Sequence, residues 1–289
     1  TSKIKNRDVL NYKGVYIHGR PYYLIGVSIN LHERNCNRFN VKIWLRLILL
    51  ISNGLISSNT HAEEALVAVA VNFVPTMRQL VSEFESKTTH RITIVSGSTG
   101  QLYAQILNKA PYHIFLAADQ ERPAQLLKQD LAVEGTQFTY ALGKLVLWTN
   151  SPKLKSNLSL NSVNGDYNHF AIANPLLAPY GVAAKQTLMS LGLWDVLQPK
   201  LVMGQNVSQA YAMISTLNAE IGLIALSNLV AHNKNGVSIL IPENLYTPIF
   251  QDGVLTNEGA FNLAALSMIE FLKGYQASRI IIRGGYELP

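Results

Sequence analysis

From Glu63 onward one pattern repeats: an apolar run of strand length, a short turn of small, hydroxyl or amide residues, then an amphipathic helix. This alternation constrains the fold most, because strands that read as unbroken apolar runs are buried on both faces and need helices to cover them. Residues 65–71 form the first run. Asn72, Phe73, Val74 and Pro75 follow, and then a helical stripe of Met77, Leu80, Val81 and Phe84. Pro75 suits the first turn of that helix, where its missing N–H costs nothing.

Residues 92–95 repeat the strand, Ser96-Gly97-Ser98-Thr99-Gly100 the polar turn, and 102–107 the helix, aligning Tyr103, Ile106 and Leu107. Residues 113–118 give another buried strand, and Asp119-Gln120-Glu121-Arg122-Pro123 opens the next helix. After a strand at 145–149, the polar stretch 150–169 is expected to carry the chain into a second lobe. There residues 170–173, 221–226 and 237–241 read as strands, with helices aligning Ala184, Leu188 and Leu191, and then Ala210, Met213, Ile214 and Leu217. A last helix aligns Phe261, Ala264, Ala265, Met268 and Leu272 and is expected to stop at Gly274 and pack back on the first lobe. The expected class is α/β, each lobe a mostly parallel sheet flanked by helices, with 63–143 as lobe 1, 144–245 as lobe 2 and 246–289 returning to lobe 1.

The formal charge of +6 suggests a polyanionic partner only if it is spread over the folded part. It is not. Nine of the 24 Lys and Arg but two of the 18 Asp and Glu lie in residues 1–62, leaving 15 basic against 16 acidic residues beyond. The body has no basic stripe to follow a phosphate backbone, so a nucleic-acid partner is excluded. The single cysteine, Cys36, lies in the same basic leader, so the body forms neither an internal disulfide nor a thiolate metal site.

From Val41 the leader runs Val-Lys-Ile-Trp-Leu-Arg-Leu-Ile-Leu-Leu-Ile and then through a polar stretch to Ala62. A basic start, an apolar run and a small residue at the end are the order of a secretory signal peptide, here 41–62, cleaved after Ala62. The apolar run is far short of the roughly 20 residues a spanning helix needs. Residues 1–40 show no sustained period and are expected to be a non-native or unstructured extension.

Four turns share one design, around Asn72, Ser98-Thr99, Tyr180 and Asn206-Val207: a strand delivers the chain and a helix starts at once. Helix starts present unpaired N–H groups and a partial positive charge, so several converging on one cleft would hold an anion without Lys or Arg. Hydroxyls of Ser98, Thr99 or Tyr180 and the amide of Asn72 are candidate extra donors. For any one turn, plain helix capping is the alternative. Enzymatic readings lack their parts. Gly97-Ser98-Thr99-Gly100 is not a nucleophile elbow, and there is no Walker A loop or dinucleotide fingerprint. His113, His169 and His232 stand singly, without the spacing of metal ligands.

Three segments, Ala68-Val69-Ala70-Val71-Asn72-Phe73, the run from Gly97 to Ile106, and Leu116 to Pro123, together resemble the periplasmic molybdate-binding proteins of ABC importers. Asn174-Pro175, Ala178-Pro179-Tyr180-Gly181, Leu193-Trp194-Asp195, Pro199-Lys200-Leu201 and Asn206-Val207 follow in the same order, so the resemblance spans 65–289. It implies a two-lobed periplasmic binding protein fold of type II with the ligand cleft between lobes, and no enzyme. The implied ligand is molybdate or tungstate, with no cofactor, in a monomer that serves importer membrane subunits. Matched by motif position, the binding residues are Val71, Asn72, Ser98, Thr99, Tyr180 and Val207, the last through its backbone, with no side chain bonded directly to Mo or W. Two positions depart from the family: His113 replaces a common acidic residue, and Ala225-Leu226-Ser227 replaces a segment that in some members supplies a ligand tyrosine. The phenol then falls to Tyr180. A relative carrying another oxyanion or a small organic anion is the alternative, and behind it an enzyme on the same fold. Secreted protein should begin at Glu63; N-terminal sequencing that finds residues upstream would contradict the signal assignment.

Overall fold

The computed structural model describes residues 62–232 and 236–289, together with the backbone of 14–17 and 20–23. The two short stretches are strands β1 (Gly14–Ile17) and β2 (Arg20–Tyr23), paired antiparallel with Gly14 opposite Tyr23. They form in a region whose sequence shows no sustained period. Apart from Ala62, the expected signal peptide lies outside the described residues.

The remaining elements alternate as the apolar runs do. The first group is β3 (Glu64–Ala70), α1 (Val74–Glu85), β4 (Arg91–Gly97), α2 (Thr99–Leu107), β5 (Ile114–Leu116), α3 (Glu121–Lys128) and β6 (Phe138–Gly143). The second is β7 (Leu145–Thr149), α4 (Pro152–Lys155), β8 (Phe170–Ala173), α5 (Pro179–Ser190), α6 (Trp194–Leu197), β9 (Leu201–Gly204), α7 (Val207–Ser215), β10 (Ile221–Ala225), α8 (Leu226–His232) and β11 (Val237–Leu240). The chain closes with β12 (Ile249–Leu255), α9 (Leu263–Leu272) and α10 (Tyr275–Arg283).

Two five-stranded sheets result, ordered β4-β3-β5-β12-β6 and β11-β7-β10-β8-β9. Each is mostly parallel, as expected, with four strands running one way, and is made mixed by a single strand running against them. β3 runs parallel to β4 and β5, and β8 to β9 and β10, whereas β12 is antiparallel to β5 and β6 and β7 is antiparallel to β10 and β11. The topology explains this. The strands that precede helices run toward the cleft and turn there, while β7 and β12 arrive from the opposite lobe through the cleft and must run away from it. The chain therefore changes lobes at Lys144, between β6 and β7, before the 150–169 stretch. It returns between β11 and β12. Lys144 is bound to Glu287 at 2.8 Å and to Glu243, tying both crossings to the C-terminal segment.

Along β3 the side chains alternate between two cores. Ala65, Val67 and Val69 face Phe73, Met77, Leu80, Phe84 and the apolar sides of α9 and α10; Ala68 faces Leu102, Ile106, Phe115 and Leu126. The second lobe has its own core around Trp148, Phe170, Ile172, Leu188, Leu223 and Ile224, which reaches to Ala70 and Ala118 of the first. Some expected stripes shift. In α2 the buried face is Leu102 and Ile106 while Leu107 is exposed, and Leu217 is exposed beyond the end of α7 with a positive φ of 63°. Phe261 lies outside α9 and is 93% exposed, because Asn262 caps that helix by accepting from Ala265 N at 2.8 Å. α9 stops just before Gly274, as expected, but it is not the last helix: Gly274 is extended (φ −83°, ψ 160°) and starts α10, which buries Ala277, Ile280 and Ile281.

Phe73 joins this core to the first of the four turns, fully buried with its ring 4.6 Å from that of Tyr140 and 5.3 Å from that of Tyr286. Phe73→Ala should cost about 3–5 kcal/mol, the transfer of an aromatic ring plus a cavity. A urea unfolding curve checks it, and a loss under about 1 kcal/mol would contradict the packing.

Candidate functional site

All four turns meet. Val71, Asn72, Ser98, Thr99, Tyr180 and Val207, with Ala70, Gly97, Ala118, Ala178, Pro179 and Asn206, line one small cavity between the lobes. No lining side chain is charged. The lobes touch over it: Gly100 N donates to Leu177 O at 2.9 Å and Gln101 Nε2 to Gln205 Oε1 at 3.1 Å.

Each turn prepares donors in its own way. Val71–Phe73 is a single 3-10 turn leading into α1, so its first N–H groups have no partner within the helix. Ser98 caps α2 in a reciprocal box, its Oγ accepting from Gln101 N at 3.3 Å while Gln101 Oε1 accepts from Ser98 N at 3.1 Å. Thr99 Oγ1 accepts from Ala118 N at 3.0 Å. A hydroxyl that accepts in this way still has its own proton to donate, so both side chains remain donors. At α7, Asn206 Oδ1 accepts from Gln209 N at 3.0 Å, satisfying the third amide of the helix and leaving that of Val207 at the cavity wall.

Tyr180 sits in the first turn of α5, after Pro179, and is 2% exposed. Its Oη accepts from Gln251 Nε2 at 3.2 Å. Two glycines make room for this. A Cβ on Gly143 would stand 2.2 Å from Tyr180 Oη and 2.6 Å from Gln251 Nε2, and one on Gly181 would stand 2.4 Å from Ala173 O. Burial, reinforced by the nearby Tyr286, holds the Tyr180 phenol well above the ordinary 10.0, so it stays a donor.

One candidate acts differently from expectation. The Asn72 side-chain amide faces away from a ligand role: its Nδ2 donates to Gln251 Oε1 at 2.9 Å and to Tyr286 Oη at 3.1 Å, using both hydrogens. Asn72 O in turn accepts from Tyr286 Oη at 2.7 Å and from Ser227 Oγ at 3.2 Å. The residue holds the turn in place, and its backbone N–H is what remains for the cavity. The departing segment Ala225-Leu226-Ser227 thus braces the Asn72 turn from behind. His113 has a local task as well, its Nδ1 accepting from Leu66 N at 2.8 Å.

Gln251, Tyr286 and Tyr140 are supporting residues that the sequence reading does not name. The signal for the first was available: Gln251-Asp252 are two fully or nearly buried polar residues inside an otherwise apolar strand. At that step the β6–β12 register shifts, Gln251 facing Ala141 and Asp252 facing Thr139, which leaves Tyr140 as an extra residue on β6. Tyr140 Oη donates to Ala117 O at 2.8 Å.

Among the described residues seven tyrosines, Tyr112, Tyr140, Tyr167, Tyr180, Tyr211, Tyr246 and Tyr286, have phenols raised above 10.0, in each case chiefly by burial, and Tyr140, Tyr180 and Tyr286 are the three packed around Gln251 and Asn72 behind the cavity. Since they regain the ordinary value on unfolding, their contribution to stability is complete below pH 10.0 and is lost as pH rises beyond it. In an alkaline titration these phenolates should appear only together with the loss of near-UV circular dichroism; their ionisation in the intact fold would contradict the burial.

Residues 65–287 match the family model described as bacterial extracellular solute-binding protein. The molybdate-binding protein ModA of Azotobacter vinelandii is 41% identical over 245 residues, covering 84% of this chain and 97% of that protein. ModA of Rhodobacter capsulatus is 41% identical over 225 residues, 78% of this chain and 88% of its own length. Among solved structures, the Azotobacter vinelandii periplasmic molybdate-binding protein superposes with a TM-score of 0.74 at 40% identity, covering 78% of this chain and 99% of that one. With its two mixed sheets and a donor-lined cavity between the lobes, this chain belongs to the bacterial extracellular solute-binding proteins, in the family of the molybdate-binding proteins ModA.

Proposed function

We propose that this chain captures molybdate or tungstate outside the cytoplasm, in the periplasm after signal cleavage, and delivers it to the membrane subunits of an ABC importer. The observation that carries this reading is the convergence of four helix starts on one cavity with no charged side chain in its wall. Relatives at 41% identity that are named as molybdate-binding proteins support the choice of anion.

In this reading backbone N–H groups of Val71, Asn72, Thr99 and Val207 and the hydroxyls of Ser98, Thr99 and Tyr180 surround the oxygens. The side chains make no direct bond to Mo or W. A fully deprotonated oxyanion is all acceptor and suits a wall of donors. Hydrogen phosphate is rejected because its proton finds no acceptor, and sulfate chiefly because it is smaller. Closure takes place about the two crossings, near 140–144 and 246–250, and the anion favours the closed population that the importer recognises. The chain works as a monomer, needs no cofactor and performs no chemistry on its cargo.

Calorimetric titration of residues 63–289 at one pH and ionic strength tests this. Molybdate and tungstate should bind tightly, one to one, while sulfate and phosphate give no heat. Tyr180→Phe should weaken binding by about 1–3 kcal/mol, the cost of leaving a buried acceptor short of one donor. Silence with both metal oxyanions, or an unchanged affinity in the variant, would contradict the reading.

A further inference from the structure

Behind the cavity the buried polar groups form one directed chain. Tyr286 Oη donates to Asn72 O at 2.7 Å, Asn72 Nδ2 donates to Gln251 Oε1 at 2.9 Å, and Gln251 Nε2 donates to Tyr180 Oη at 3.2 Å. The four side chains come from four separate parts of the chain. Asn72 follows β3 in the first lobe, Tyr180 opens α5 in the second, Gln251 lies on β12 just after the return crossing, and Tyr286 follows α10. Gln251 is the link that touches both lobes, and it is completely buried.

An amide is the one uncharged side chain that offers a fixed acceptor at one end and a fixed donor at the other. With Asn72 presenting an N–H to it, Gln251 must turn its Oε1 toward Asn72 and its Nε2 toward Tyr180. The lone pair of Tyr180 Oη is then occupied from behind, and its single proton is left for whatever fills the cavity. Resting on the function proposed above, we infer that Gln251 is a positioning residue: it sets the direction of the Tyr180 hydroxyl so that the phenol donates to the oxyanion, and it does so from the strand on which the lobes meet. The empty side of Gly143 is part of the same arrangement, since any Cβ there would enter the Tyr180–Gln251 contact.

This separates two substitutions of nearly equal shape. Gln251→Met removes both polar ends and leaves the Tyr180 hydroxyl free to rotate. Gln251→Glu keeps the size but reverses one end: an ionised carboxylate accepts only, so it draws the Tyr180 proton away from the cavity and places a negative charge behind it. A residue that merely filled space would tolerate Gln251→Met, which is nearly isosteric, with little change in affinity.

The test is a double-mutant cycle read as molybdate Kd by calorimetry, on the chain without its leader, with near-UV circular dichroism confirming the native fold of each variant. Wild type, Tyr180→Phe, Gln251→Met and the double variant form the cycle, and Gln251→Glu is measured beside them. Gln251→Met should raise Kd about tenfold, Gln251→Glu at least tenfold more than that, and the double variant should bind within about threefold of Tyr180→Phe alone. Gln251→Met or Gln251→Glu within threefold of wild type would overturn the inference, as would a double variant whose loss is the product of the single losses. A wild type that binds neither molybdate nor tungstate would instead overturn the function on which the inference rests.

Discussion

A helix start has N–H groups that its own turns cannot satisfy, and the arrangement of this protein follows from where those groups are left. Four such starts, at Val71, Ser98-Thr99, Tyr180 and Val207, are brought to one cavity, two from each lobe. A small dianion taken out of water loses its hydration, a large cost for any buried ion. No lining lysine or arginine offsets that loss here. In the proposed function it falls to a dense shell of dipoles fixed in advance by the fold.

The rest of the molecule holds those dipoles still. The strands run toward the cleft because that is where a following helix must begin, and β7 and β12 run the other way because they carry the chain between lobes. Behind the cavity wall, side-chain acceptors are occupied from inside the protein: Ser98 Oγ by Gln101 N, Thr99 Oγ1 by Ala118 N, Tyr180 Oη by Gln251 Nε2. Each of these three hydroxyls therefore keeps its own proton to donate. In the proposed function, selectivity for a proton-free oxyanion comes from the direction of hydrogen bonds as much as from size.

Much of this was legible in the sequence, for identifiable reasons. Strands buried on both faces leave long apolar runs such as 65–71, and the four helix starts at the cavity are marked by a hydroxyl, amide or proline, so the α/β order and the cavity turns could be read from the chain, with Val71 added by the family resemblance. What local pattern could not supply was long-range pairing. The antiparallel insertion of β12 between β5 and β6 depends on residues more than a hundred positions apart, and so does the contact of Asn72 with Gln251 and Tyr286. Asn72 consequently reads as a side-chain ligand in sequence but serves in the fold as a brace. α10 was missed for a local reason: Gly274 ends α9 and at once starts a second helix, whose stripe of Ala277, Ile280 and Ile281 is short.

The most direct test of the account is diffraction from crystals grown with tungstate, collected near the tungsten absorption edge. A single strong anomalous peak inside the cavity bounded by Thr99, Tyr180 and Val207, with no Lys or Arg nitrogen in contact, is the predicted result. Tungsten bound only at basic surface residues, or an empty cavity under saturating tungstate, would contradict the claim that helix starts and hydroxyls alone hold the anion.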